Sequence, residues 1–110
     1  MDRLGVEAWL RKYKVNNYII NEDLSVDVEG DVSLSYNDLS EIAISFGKVS
    51  GNFNCSYNKL SSLIGCPVEV GGSFDCSRNK LELLVGVPIK IGGDFDCGNN
   101  ELANLVFFRL

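Results

Sequence analysis

The 110-residue chain contains no histidine, which removes the side chain most used as a general base near neutral pH and the commonest metal ligand. Proline occurs twice, tryptophan and methionine once each. No stretch approaches the roughly 18 apolar residues of a membrane-spanning helix. The opening residues, Met-Asp-Arg-Leu-Gly-Val-Glu, lack the apolar core of a secretory signal. A cytoplasmic protein without membrane contact is therefore expected. Basic charge is in deficit, with 15 acidic against 10 basic residues and a net charge of −5. That balance disfavours a direct grip on nucleic-acid phosphates and suits a partner protein with a basic surface. Four cysteines in a chain with no export signal are expected to stay reduced. A hydrophobic fraction of 45% and a charged fraction of 23% describe one soluble folded domain.

What the chain does have is a repeat. Rows of 21 residues align 28–48, 49–69, 70–90 and 91–110 without insertion or deletion, leaving 1–27 as an N-terminal cap. The columns read Val28/Val49/Val70/Ile91, Gly30/Gly51/Gly72/Gly93, Val32/Phe53/Phe74/Phe95, Leu34/Cys55/Cys76/Cys97, Asn37/Asn58/Asn79/Asn100 and Leu39/Leu60/Leu81/Leu102. Units this short cannot bury an apolar face alone, so a fixed period of this length predicts a stacked solenoid.

Within a row, alternation of apolar and polar residues predicts one short strand with a buried face. Phe53 and Cys55 point inward; Asn52, Asn54 and Ser56 point outward. A sharp turn after the strand leaves backbone groups near the interior, and an asparagine carries both the donor and the acceptor to satisfy them. Asn58 and Asn79 are therefore read as a hydrogen-bonded ladder.

The segment Phe53-Asn54-Cys55-Ser56-Tyr57-Asn58-Lys59-Leu60 and its two successors resemble the strand and asparagine ladder of leucine-rich repeats. The consensus Leu-x-Gly-x-Pro-x-x-Val-x-Gly-x-Phe-x-Cys-Ser-x-Asn-x-Leu is similar to the short repeats of bacterial effectors and of proteins encoded by tailed bacteriophages. The resemblance implies an α+β leucine-rich-repeat arc with one parallel strand per repeat. Two departures stand out: cysteine replaces the middle leucine, and the apolar residue before the strand lies four positions ahead of Phe53, not three. Gly51, Gly72 and Gly93 are the residues that could absorb this offset as bulges or turns.

Both ends of the array call for covers. Asp2 to Tyr13 reads as an amphipathic helix with Asp2 as N-cap and Trp9 in the core. Tyr18-Ile19-Ile20 and Ser25-Val26-Asp27-Val28 read as a hairpin around Asn21-Glu22-Asp23-Leu24. At the other end, Val106-Phe107-Phe108-Arg109-Leu110 replaces the Gly-x-Pro segment. Phe107 and Phe108 either cover the last turn or pair two chains into a homodimer.

Catalysis and cofactors find no support. Cys55, Cys76 and Cys97 recur at an inward position without the short Cys-x-x-Cys spacing of a zinc site. Cys66, outside that column, is the cysteine expected to be exposed. Asp75 and Asp96 sit within strands and not in the nonapeptide turns of calcium-binding repeats, and no basic residue accompanies the glycine pairs as in a phosphate loop.

The outward columns Asp31/Asn52/Ser73/Asp94 and Ser33/Asn54/Asp75/Asp96 form an acidic face, bordered by Tyr36, Tyr57 and Arg78. Aspartates select a basic partner, and tyrosine and arginine are enriched where binding energy concentrates. The expected function is a non-catalytic protein-binding module. The resemblance to phage repeats implies a host protein as target, such as a component of antiviral defence. Other readings are a solvated face without a partner, an acidic nucleic-acid mimic, and the recognition fragment of a larger effector.

Overall fold

The computed structural model describes residues 1–102. Helix α1 (Arg3–Lys12) starts where the Asp2 carboxylate accepts the Gly5 N–H at 2.9 Å and ends with Arg11 and Lys12 against its carbonyl terminus. Val6 and Leu10, four residues apart, are buried. Trp9 packs edge-on to Phe46, ring centres 6.1 Å apart, which places it against the core as expected. Strands β1 (Tyr18–Ile20) and β2 (Val26–Val28) pair antiparallel. At their turn the Asp23 carboxylate accepts both the N–H and the hydroxyl of Ser25, which lowers its pKa.

Beyond β2 the chain is a mostly-sheet repeat solenoid of about three turns. Each turn supplies two short strands where one was expected. Strands β4 (Phe46–Val49), β6 (Glu69–Val70) and β8 (Lys90–Ile91) extend the hairpin into a five-stranded sheet of order β1-β2-β4-β6-β8. Strands β3 (Val32–Ser33), β5 (Phe53–Asn54), β7 (Phe74–Asp75) and β9 (Phe95–Asp96) make a second, all-parallel sheet in that order. Pairing keeps the 21-residue register: Val49 faces Val70, and Phe53 faces Phe74.

The extra strand has a cause in the glycines. Gly51, Gly72 and Gly93 stack at the corner between the sheets, each N–H donating to the glycine of the preceding turn: Gly72 to Gly51 at 2.9 Å and Gly93 to Gly72 at 2.8 Å. A Cβ on Gly71 would strike the Ser50 carbonyl, so adjacent turns meet backbone to backbone. The corner accounts for the four-residue offset, because Val49, Val70 and Ile91 belong to a different sheet from the phenylalanines that follow them.

The rings of Phe46, Phe53, Phe74 and Phe95 follow one another along the axis at 5.2, 5.8 and 5.9 Å, edge-on at the first step, stacked at the second and tilted at the third. Phe53, Phe74, Leu60 and Leu81 are fully buried, each such side chain contributing about 2 to 3 kcal/mol. The asparagine ladder closes the turn after each β5-type strand. Asn58 accepts the N–H of Asn37 and Leu39 and donates to the carbonyls of Leu34 and Cys55. Asn100 repeats all four bonds two turns on, and Asn79, one turn on, accepts the Leu60 N–H and donates to Cys55 and Cys76. Among the described residues no buried side-chain polar atom lacks a partner.

Candidate functional site

The second sheet presents the residues singled out from the sequence, but most of them hold the backbone as well as face outward. Asp31 accepts the Asn52 N–H at 2.7 Å, Asn52 that of Ser73 at 2.8 Å, and the Ser73 hydroxyl that of Asp94 at 3.0 Å. This column is a side-chain ladder that pins each turn to the next. In the neighbouring column Asn54 and Asp75 accept the N–H and hydroxyl of Ser56 and Ser77, and Asp96 accepts the Gly98 N–H. Ser56, expected to point outward, is buried by this turn, as is Ser77. One oxygen each of Asp31, Asp75 and Asp96 is committed to these bonds, while the negative charge stays at the surface. Asp31, Asn52, Asp94 and Asp96 are exposed; Asn54, Ser73 and Asp75 are half-buried.

The third column has the more unusual geometry. Tyr36, Tyr57, Arg78 and Asn99 occupy equivalent turns with φ of 59°, 56°, 55° and 53°. This left-handed region suits glycine or asparagine; tyrosine and arginine there cost about 1 kcal/mol each. The four backbones hold the side chains in one line. Tyr36 and Tyr57 stack with centres 4.3 Å apart at 15°, and the Arg78 guanidinium lies 5.1 Å from the Tyr57 ring. Hydrogen bonding with Tyr57 raises the Tyr36 phenol pKa. Tyr36 keeps 72% of its surface exposed and Tyr57 41%. The structure thus brings Tyr36, Tyr57 and Arg78 together as one strip along the edge of the aspartate columns.

A basic wall at the start of this face escaped the sequence reading. Lys12, Tyr13 and Lys14 line a cleft of about 430 Å³ with Asp31, Ser33 and Asn37. Its signal was the run Arg11, Lys12, Lys14 at the helix end, legible as charge but not as a neighbour of the first repeat.

Burial of the cysteines differs from expectation at Cys66 and at Cys97. Gly65, with φ of 98°, folds the loop back, the Cys66 N–H donates to Leu63, and the thiol lies buried. It sits beside Cys55, whose pKa it raises further than burial does; Cys76 is raised chiefly by burial. Cys97 is the half-exposed member. Buried neutral thiols are poor nucleophiles, and no three potential metal-ligating side chains cluster among the described residues. Phe107 and Phe108, read as covers or dimer contacts, lie outside the described residues. No helix among them is long and apolar enough to cross a membrane.

The fold and this face define a repeat solenoid with an ordered polar surface. No family model matches the chain, and the searches returned no similar curated protein or solved structure.

Proposed function

We propose that the chain is a non-catalytic protein-binding module of the leucine-rich-repeat type, which takes a basic protein surface on the aspartate columns and anchors it on the Tyr36–Tyr57–Arg78 strip. The observation that carries this reading is the strip itself: two tyrosines and an arginine held in backbone conformations that asparagine would occupy at less cost, and left exposed. Strain of this kind, retained for side chains that stay outside the buried core, supports a reading of selection for contact. Tyrosine and arginine supply rigid, amphipathic area at interface centres. Asp31, Asp75, Asp94 and Asp96 supply long-range attraction that speeds encounter with lysines and arginines more than it tightens the complex. The resemblance to phage-encoded repeats favours a host protein as the target.

The test is capture from a host lysate by wild type and by a Tyr57→Asn, Arg78→Asn variant, followed by titration of the captured protein. Support is a partner held by wild type and lost by the variant, with affinity falling less than tenfold between 50 and 500 mM salt. A partner whose binding collapses with salt and competes with DNA would instead make the chain a nucleic-acid mimic.

A further inference from the structure

We infer that the flank opposite the aspartate columns, the segment that returns from the asparagine turn to the first sheet, is the contact surface for a second copy of this chain. In the third turn this segment runs from Glu82 to Lys90 and leaves Leu83, Val85 and Ile89 exposed at 50%, 55% and 83%. In the second turn Ile64 and Val68, at the positions of Val85 and Ile89, are exposed at 66% and 48%. Backbone bonds from Leu63 to Val85 and from Ile89 to Val68 stitch these rows together, so the five side chains form one strip. Inward neighbours alternate with them: Leu63, Cys66, Pro67 and Leu84 are buried. The outward apolar residues are thus not needed to fill the core.

Area and charge both fit a second copy. The strip presents roughly 500 Å² of mainly apolar surface, the upper end of what a monomer leaves uncovered. Two copies together cover ~1,000 Å², the lower limit of a specific interface. Its margins carry opposite signs in the third turn. Glu82 borders the start of the returning segment and Lys90 its end, where the first turn has Ser40 and Lys48, and all four are exposed. In the second turn Ser61 stands at the start and Glu69 at the end, the latter 3.9 Å from Lys48.

A two-fold axis parallel to the solenoid and lying between two copies reverses each segment against itself. Glu82 of one copy then meets Lys90 of the other, Ser61 meets Glu69, Ser40 meets Lys48, and Leu83 meets Ile89. Because both copies have the same row spacing, turns stay in register along the contact, as an isologous interface requires.

Sedimentation of the full chain between 5 and 200 µM tests this. A dimer with a dissociation constant on the order of 10 to 100 µM is expected for an interface of this size. Val85→Lys with Ile89→Lys, both at exposed positions, should weaken it more than a hundredfold while the melting temperature stays unchanged. Glu82→Lys alone and Lys90→Glu alone should each weaken it about five- to tenfold, since each change occurs twice per dimer. The two reversals combined should restore it, because every copy then offers the swapped pair. A wild type monomeric at 200 µM overturns the inference. So does a dimer indifferent to the lysine variant but abolished by Phe107→Asp with Phe108→Asp, which would put the contact at the C-terminal segment. Failure to restore affinity in the double reversal overturns the two-fold arrangement.

Discussion

The Asn79 side chain donates its amide to the carbonyl of Cys55, 24 residues earlier, at 3.0 Å, and so ties one turn of the solenoid to the turn before it. The same amide reaches Cys76, and its oxygen accepts the Leu60 N–H. Replacing Asn58 or Asn79 by alanine strands several buried backbone groups at once, each costing about 1 to 3 kcal/mol. Both variants should therefore lose at least ~2 kcal/mol in a denaturant melt. A loss below 0.5 kcal/mol in either would mean that water replaces the ladder without penalty.

Glycine substitutions should separate close approach from backbone conformation. A Cβ on Gly30 meets nothing within 4 Å, and its φ of 112° is the whole obstacle; Gly30→Ala should cost about 1 kcal/mol. On Gly71 a Cβ strikes the Ser50 carbonyl. Gly71→Ala should cost about 2 to 3 kcal/mol, because the whole turn must move. Equal losses at the two sites would argue that the corner is looser than its geometry.

Thiol chemistry checks the buried column. Without denaturant Cys97 should react with a thiol reagent in minutes, while Cys55, Cys66 and Cys76 wait for unfolding. Burial and the adjacent thiols raise the pKa of Cys55 and Cys76 in the folded state. A raised folded pKa favours the protonated form, so its stabilisation is whole below the unfolded value of roughly 8.5 and is lost as pH climbs above it. The melting temperature should fall between pH 8 and 10, and by less in a Cys76→Ala variant. A flat profile would show that the thiols ionise in place.

The period made the solenoid legible, since each column that repeats with an apolar residue is buried in at least two turns: Val49 and Val70, Phe53 and Phe74, Leu60 and Leu81. The division into two sheets was not legible. Valine four residues before phenylalanine reads as a shifted strand until the backbone contacts of Gly51 and Gly72 are seen to bend the chain between them. The aspartates were placed on the outer face, but a list of polar residues does not disclose that Asp31 and Asp75 also hold backbone N–H groups. Cys66 misled for a local reason: a loop residue is outward by default, and it takes the left-handed Gly65 to turn it in.

The alignment of Tyr36, Tyr57 and Arg78 could be read from their period, whereas their strain could not. Asparagine at position 99 was the only hint that the turn prefers it. The strain makes binding separable from stability. If the strip exists for binding, Tyr57→Asn with Arg78→Asn should relieve backbone cost by about as much as it loses in ring stacking and cation–π contact, and keep the melting temperature within about 2 °C of wild type. If it exists to hold turns together, the same variant should melt early.

The most direct measurement is the affinity of this variant and of wild type for the captured partner, by calorimetry, with both melting temperatures recorded. At least a hundredfold loss of affinity, about 2.7 kcal/mol, is expected at unchanged stability. Equal affinity in a fully folded variant would contradict it.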